Sequence, residues 1–254
     1  MNVTLLAHTQ LAIDMKNKIE SENDFMSPDF DINTGDLIDE GVTDGQVVAL
    51  AAIRQCYSRK TAIEVLETES EKYFGERGKE GERLFKQIVS SGHTSTLEHI
   101  TFTFAVENVS RALLAQLTRH RHISFSVQSQ RYVKLSSDSR SGGFDYVVPK
   151  TVIGSDKLES IHFGTQELFD EAMKSIQGYY NHLIKLGIPQ EDARAVLPNA
   201  AATNLVMTLN LRTALEFYAK RKPGNGAQNE ITQLAEAIKN EITAVETWTV
   251  KFFE

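Results

Sequence analysis

Residues 99–107, HITFTFAVE, alternate without a break: Ile100, Phe102, Phe104 and Val106 fall on one side, Thr101, Thr103 and Glu107 on the other. A period of two is the signature of a β-strand, and here it loads one face with four large apolar side chains that other elements must cover. Helical segments surround it. Thr43 with Gln46 forms a capping box ahead of GQVVALAAIRQCYS, predicting a helix over 44–57. Residues 81–91 predict a second helix, stopped where Gly92 can take the left-handed conformation. Residues 109–118 predict another, and 156–186 a long amphipathic one halted by Gly187 and Pro189.

The rest of the chain reads in the same alternating way. NVTLLAH opens as a strand, followed by loop to residue 42, and SGHTSTLEH reads as loop. SFSVQSQRYVKL reads as loop passing into strand, SSDSRSGGFD as an exposed turn, 190–196 as a short helix and 203–209 as a strand. Thr213 and Glu216 look like a second capping box opening a helix to residue 221, and a last helix fills 227 to the C-terminus. No repeat or flexible linker divides these elements, so the expected fold is α+β: a central, mostly antiparallel sheet packed with long helices, one domain over 1–254 with 1–42 poorly determined.

Composition narrows the function. The 254 residues suffice for one continuous core. A net charge of −7, from 27 Lys plus Arg against 34 Asp plus Glu, argues against a protein that coats nucleic acid. Cys56 is the one cysteine and cannot form an internal disulfide; its place in a helical pattern predicts burial. The longest apolar run, Val47 to Ile53, is far short of the roughly 20 residues that span a bilayer, and no leader pattern opens the chain, so a cytoplasmic protein is expected.

Against this acidic background, residues 108–137 contain no carboxylate but hold Arg111, Arg119, Arg121, Arg131 and Lys134, with Ser124, Ser126 and Ser129 among them. A guanidinium presents paired donors that match phosphate oxygens, and hydroxyls add donors without bulk. A solvated basic face would have the same composition. Arg119, His120 and Arg121, however, are consecutive at a predicted helix end and point in different directions, so at least one should face inward or toward a neighbouring subunit, and a buried arginine needs an anionic partner.

Arg119-His120-Arg121, seven residues, then Ser129 resembles the RHR-x7-S signature of the flavin-dependent thymidylate synthases. SGHTSTLEH, the glutamine at 116, SQRY at 129–132, DARAVLP and LNLRTALEFYAKR resemble further segments of that family in the same order, over about residues 44–245. The resemblance implies methylation of dUMP to dTMP, with 5,10-methylenetetrahydrofolate as one-carbon donor and FAD, reduced by NADPH, as hydride donor. It also implies a homotetramer with sites shared between subunits.

Carried over by position, the resemblance places Gln116, Arg119, Val127, Ser129, Gln130, Arg131, Arg194 and Arg221 at dUMP. Arg221 becomes the activating residue, whose permanent cation would favour ionisation at N3 of the uracil and enrich C5 in electrons. His93, Ser95, Arg119, His120, Arg121, Val127, Asn210 and Arg212 are placed at FAD. Ser129 is expected to be a hydrogen-bonding contact and not a nucleophile. Val127 stands where many members carry glutamate and Gly226 where some carry histidine, so the family's usual side-chain contacts do not carry over directly at these two positions, although a backbone contact at Val127 would survive.

Two other readings compete with this one. His93, Glu98, His99, His120 and His122 suggest a metal site, but their spacing matches no ligand motif, and no metal is expected. A single-stranded RNA module using Phe125 and Tyr132 as stacking faces is opposed by the overall acidity.

Overall fold

The structure, a computed structural model, describes residues 1–21, 41–75, 79–153 and 164–254. It is an α+β fold with one four-stranded antiparallel sheet, in the order β1-β2-β4-β3. The strands are β1 (Asn2–His8), β2 (Thr101–Ser110), β3 (Ser124–Val127) and β4 (Ala202–Asn210). Phe102, Phe104 and Val106 of β2 are fully buried, as their alternation requires. β2 and β4 run antiparallel: the Thr103 and Thr208 hydroxyls pair at 2.9 Å, while farther along the N–H of Arg111 donates to the Ala201 carbonyl.

By backbone packing the chain gathers into two compact units. One comprises Met1–Thr4, Phe104–Met207 and Arg221–Glu236, the other Leu5–Thr103, Thr208–Lys220 and Ala237–Glu254.

The second unit is mostly helical. After α1 (Ile13–Ser21) come α2 (Asp44–Tyr57), α3 (Ala62–Phe74) and α4 (Lys79–Ser90), packed in succession. Thr43 and Gln46 form the expected capping box at α2, with bonds of 2.9 and 3.2 Å, and Gly92 after α4 takes φ +74°. Glu246 is fully buried beside the start of α2, where it accepts hydrogen bonds from Thr43 Oγ1 and from Trp248 Nε1.

The first unit contains α5 (Arg111–Leu117), β3, α6 (Lys150–Ile153), α7 (Thr165–Lys185), α8 (Gln190–Ala193) and the start of α10 (Asn229–Val245). Phe144, Met173 and Ala201 form a buried cluster here, flanked by Phe169 and Ile176 of α7. Ser110 caps α5 by accepting from the N–H of Leu113 at 3.0 Å, and Glu230 of α10 receives both the Ser110 N–H (2.7 Å) and hydroxyl (2.5 Å).

The structure corrects several sequence expectations. The stretch before residue 42 contains a helix, α1, and α3 had not been anticipated at all. SGHTSTLEH is not plain loop, since Thr94–His99 winds into a 3-10 helix. In SFSVQSQRYVKL the strand comes first. The N–H of Gln128 still bonds to the Asn204 carbonyl, after which Ser129 accepts the N–H of Tyr132 and Val133 and turns the chain away. The expected helix over 156–186 is seen from Thr165, with 154–163 outside the described residues. Finally, α9 (Leu211–Arg221) starts earlier than the Thr213 box implied, because Asn210 Oδ1 accepts the Thr213 N–H at 2.9 Å and supplies the cap.

Candidate active site

Every residue expected at dUMP lies in the first unit. Arg111 begins α5 and is half-buried; burial, and then the positive charge of Arg194, hold its guanidinium below the ordinary arginine range. Among the described residues neither arginine has a carboxylate partner. Arg194, at the end of α8, uses its Nε on the Glu191 carbonyl at 3.1 Å, and the Glu191 carboxylate takes Nε and a terminal nitrogen of Arg131, both at 3.1 Å. Glu191 thus draws Arg131 and Arg194 together. Arg131 and Glu191 also line a cleft of about 400 Å³ with Lys134, Ile184, Ile188 and Pro189.

Arg111 was not among the expected site residues. The carboxylate-free stretch contained it, but only the fold brings it to Arg194, eighty-three positions along the chain. Two neighbouring cations, one of them losing water to burial, repel each other unless an anion sits between them.

A second set gathers at the end of α5. Gln116 Nε2 donates to Gln228 Oε1 at 2.8 Å, and Arg221 Nε, at the C-terminal end of α9, donates to His120 Nε2 at 3.2 Å. Arg119 and Arg121 on either side of His120 are exposed and make no hydrogen bond or ion pair with a described residue. Of the three consecutive residues, one of which was expected to face inward or toward a neighbouring subunit, the half-buried one within the chain is His120. Its backbone N–H closes the turn onto Leu117, and that leaves the flanking side chains outside.

Ser129 is half-buried and its Oγ accepts the Arg131 N–H at 3.2 Å, an arrangement that suits a contact. Gln130 has its amide nitrogen buried without a partner in the described chain, a donor that costs free energy until something accepts from it. Val127 is the last residue of β3 and half-buried; Gly226 adopts φ +69°, a conformation that disfavours a side chain at that place.

The remaining residues expected at FAD, His93, Ser95, Asn210 and Arg212, belong to the second unit. Ser95 is exposed and His93 half-buried, its Nδ1 2.7 Å from the Tyr57 hydroxyl. Asn210 is committed to capping α9. Arg212 pairs with Glu98 at 2.6 Å and Glu216 at 3.1 Å, and these hydrogen bonds, Glu216 first, raise its guanidinium above the ordinary range. Cys56, expected to be buried, is exposed, with Sγ 3.5 Å from the Ala52 carbonyl of its own helix. Among the described residues no three His, Cys, Asp or Glu side chains gather as metal ligands, and no helix is long and apolar enough to cross a membrane.

An α+β fold that collects half-buried guanidiniums, several without carboxylate partners among the described residues, has the chemistry that suits an anionic ligand. The profile of the family described as "Thymidylate synthase complementing protein" matches residues 36–246, and the chain belongs to that family. Relatives named flavin-dependent thymidylate synthase include one from Geobacter sulfurreducens, 40% identical over 174 residues (68% of this chain, 67% of the relative). Another, from Clostridium tetani, is 34% identical over 212 residues (79% and 78%), and one from Haloarcula marismortui is 34% identical over 186 (68% and 74%). The chain is an enzyme of this family.

Proposed function

We propose that the protein methylates dUMP to dTMP, taking the carbon from 5,10-methylenetetrahydrofolate and the hydride from reduced FAD, which NADPH regenerates. The observation that carries this reading is the pair Arg111 and Arg194, without a carboxylate partner among the described residues and joined through Glu191 to Arg131. Three guanidiniums suit a dianionic phosphate monoester, which one surface cation would hold weakly.

The other residues divide the remaining work. The buried amide of Gln130 and the hydroxyl of Ser129 suit the nucleotide's neutral oxygens. Arg221 is suited to the pyrimidine edge, where a fixed cation lowers the cost of ionising N3 and pushes electron density to C5. C5 would then form the new bond to the methylene carbon and release its proton, while the bond from that carbon to the folate nitrogen breaks and its electron pair stays with the folate.

The exposed, uncommitted Arg119 and Arg121 fit the diphosphate of FAD, which when bound would supply the hydride that turns the transferred methylene into a methyl group. Arg119 serves both ligands in this reading, with Val127 beside them; His93, Ser95, His120, Asn210 and Arg212 complete the flavin set. The active enzyme is a homotetramer whose sites combine subunits, which suits guanidiniums left exposed within one chain.

The test is complementation of a thymidine-requiring bacterium, joined to the absorption spectrum of the purified protein. Growth without thymidine and a flavin spectrum bleached by NADPH are expected. A colourless protein that fails to support growth refutes the reading.

A further inference from the structure

The bond from Arg221 Nε to His120 Nε2, at 3.2 Å, has only one possible direction. A guanidinium donates through five N–H groups and accepts through none, so His120 Nε2 must present a lone pair. The imidazole is therefore neutral with its proton on Nδ1. An imidazolium would set two donors and two positive charges against each other across the same gap.

We infer that His120 is a positioning residue for Arg221. This rests on the reading of Arg221 as the residue at the pyrimidine edge. A guanidinium can offer a planar acceptor either its Nε side or its two terminal amino groups. With Nε held by His120, the terminal pair is the fork left for the ligand. It matches an ionised uracil edge, where N3 and a neighbouring carbonyl oxygen place two acceptors side by side. Arg221 ends a helix on a long, rotatable side chain, so without this restraint it would lose rotamer freedom on meeting its ligand. The middle residue of the RHR triplet thereby acts on the nucleotide through Arg221, apart from any contact it makes with the flavin.

The experiment is a double-mutant cycle on flavin-loaded protein, using His120→Leu, His120→Gln, Arg221→Ala and the pair His120→Leu/Arg221→Ala. Turnover of dUMP, KM, flavin content and the nitrogen-15 NMR signature of His120 are read. His120→Leu is expected to lower kcat per bound flavin by roughly tenfold, as loss of one hydrogen bond to a charged group implies. His120→Gln, whose side-chain oxygen can accept from Nε, should restore most of it. In the Arg221→Ala background the same Leu substitution should change kcat by less than about twofold, the mark of coupled residues. Additive losses, a Gln variant no better than Leu, or an NMR signature with the proton on Nε2 would each overturn the inference while leaving the function intact. Undiminished turnover in Arg221→Ala overturns the reading of Arg221 and this inference with it.

Discussion

Arg111 and Arg194 stand close enough for the charge of the second to add to burial in depressing the guanidinium of the first. Such a pair is destabilising alone and favourable around an anion. Arg111→Ala is therefore expected to leave the fold intact or slightly stabler, and to weaken dUMP binding by about 1.5–3 kcal/mol, roughly tenfold to a hundredfold in Kd. Deoxyuridine, lacking the phosphate, should lose far less. Equal losses for both ligands in calorimetric titration would show that Arg111 does not meet the phosphate.

Glu191 competes with that anion. Its bridge to Arg131 joins two half-exposed side chains, so it contributes no more than about 1 kcal/mol. Glu191→Gln should then tighten dUMP slightly, by up to about fivefold, and Arg131→Ala should weaken it. A Gln variant that binds dUMP more weakly would mean that Glu191 chiefly orients Arg131 and Arg194.

Asn210 holds the start of α9, the helix that ends at Arg221. Losing this cap costs about 0.5–2 kcal/mol, so Asn210→Ala should lower the unfolding midpoint in urea, whereas Asn210→Asp should keep it. If the Ala variant loses flavin but no stability, the side chain serves the cofactor and not the helix.

Glu246 gives the chain a pH-dependent term. Burial raises its carboxyl above the ordinary value, while the Thr43 and Trp248 hydrogen bonds, the His8 charge and the Gly45 N–H pull it back. The folded chain thus keeps a proton that the unfolded chain gives up. The stability this group contributes is full below the ordinary carboxylate range and falls as pH rises through the raised value. Replacing it with Gln should flatten that slope above the ordinary carboxylate range in denaturant titrations; an unchanged slope assigns it elsewhere. Gly45 belongs to the same arrangement, because a β-carbon there would run into the Glu246 carboxylate. Gly45→Ala gains about 1 kcal/mol of helix propensity but loses about 1–3 kcal/mol to crowding, so a net loss of stability is expected. A stabler protein would contradict the packing described at the start of α2.

What the sequence disclosed followed from how local each cause was. The β2 alternation and the Thr43–Gln46 box act within ten residues and were legible. The start of α3 carried an equally local signal that went unread: Glu64 takes the Thr61 N–H at 2.7 Å and returns its own to Thr61 Oγ1 at 3.3 Å. Thr213 and Glu216 showed the same spelling without the role, since Asn210 had already taken the Thr213 N–H. In the site, the arginine-rich triplet stood out by composition, whereas the meeting of Arg111 with Arg194 depends on α5 and α8 being brought together by the fold.

The two ends of α5 are both stitched to the beginning of α10, Ser110 to Glu230 and Gln116 to Gln228. Residues 222–228 therefore span a gap whose far edge is pinned, and their near edge is Arg221. Lengthening this short loop would let the guanidinium drift from His120 even with every site residue in place, so the length of the loop bears on the site as directly as the side chains it carries.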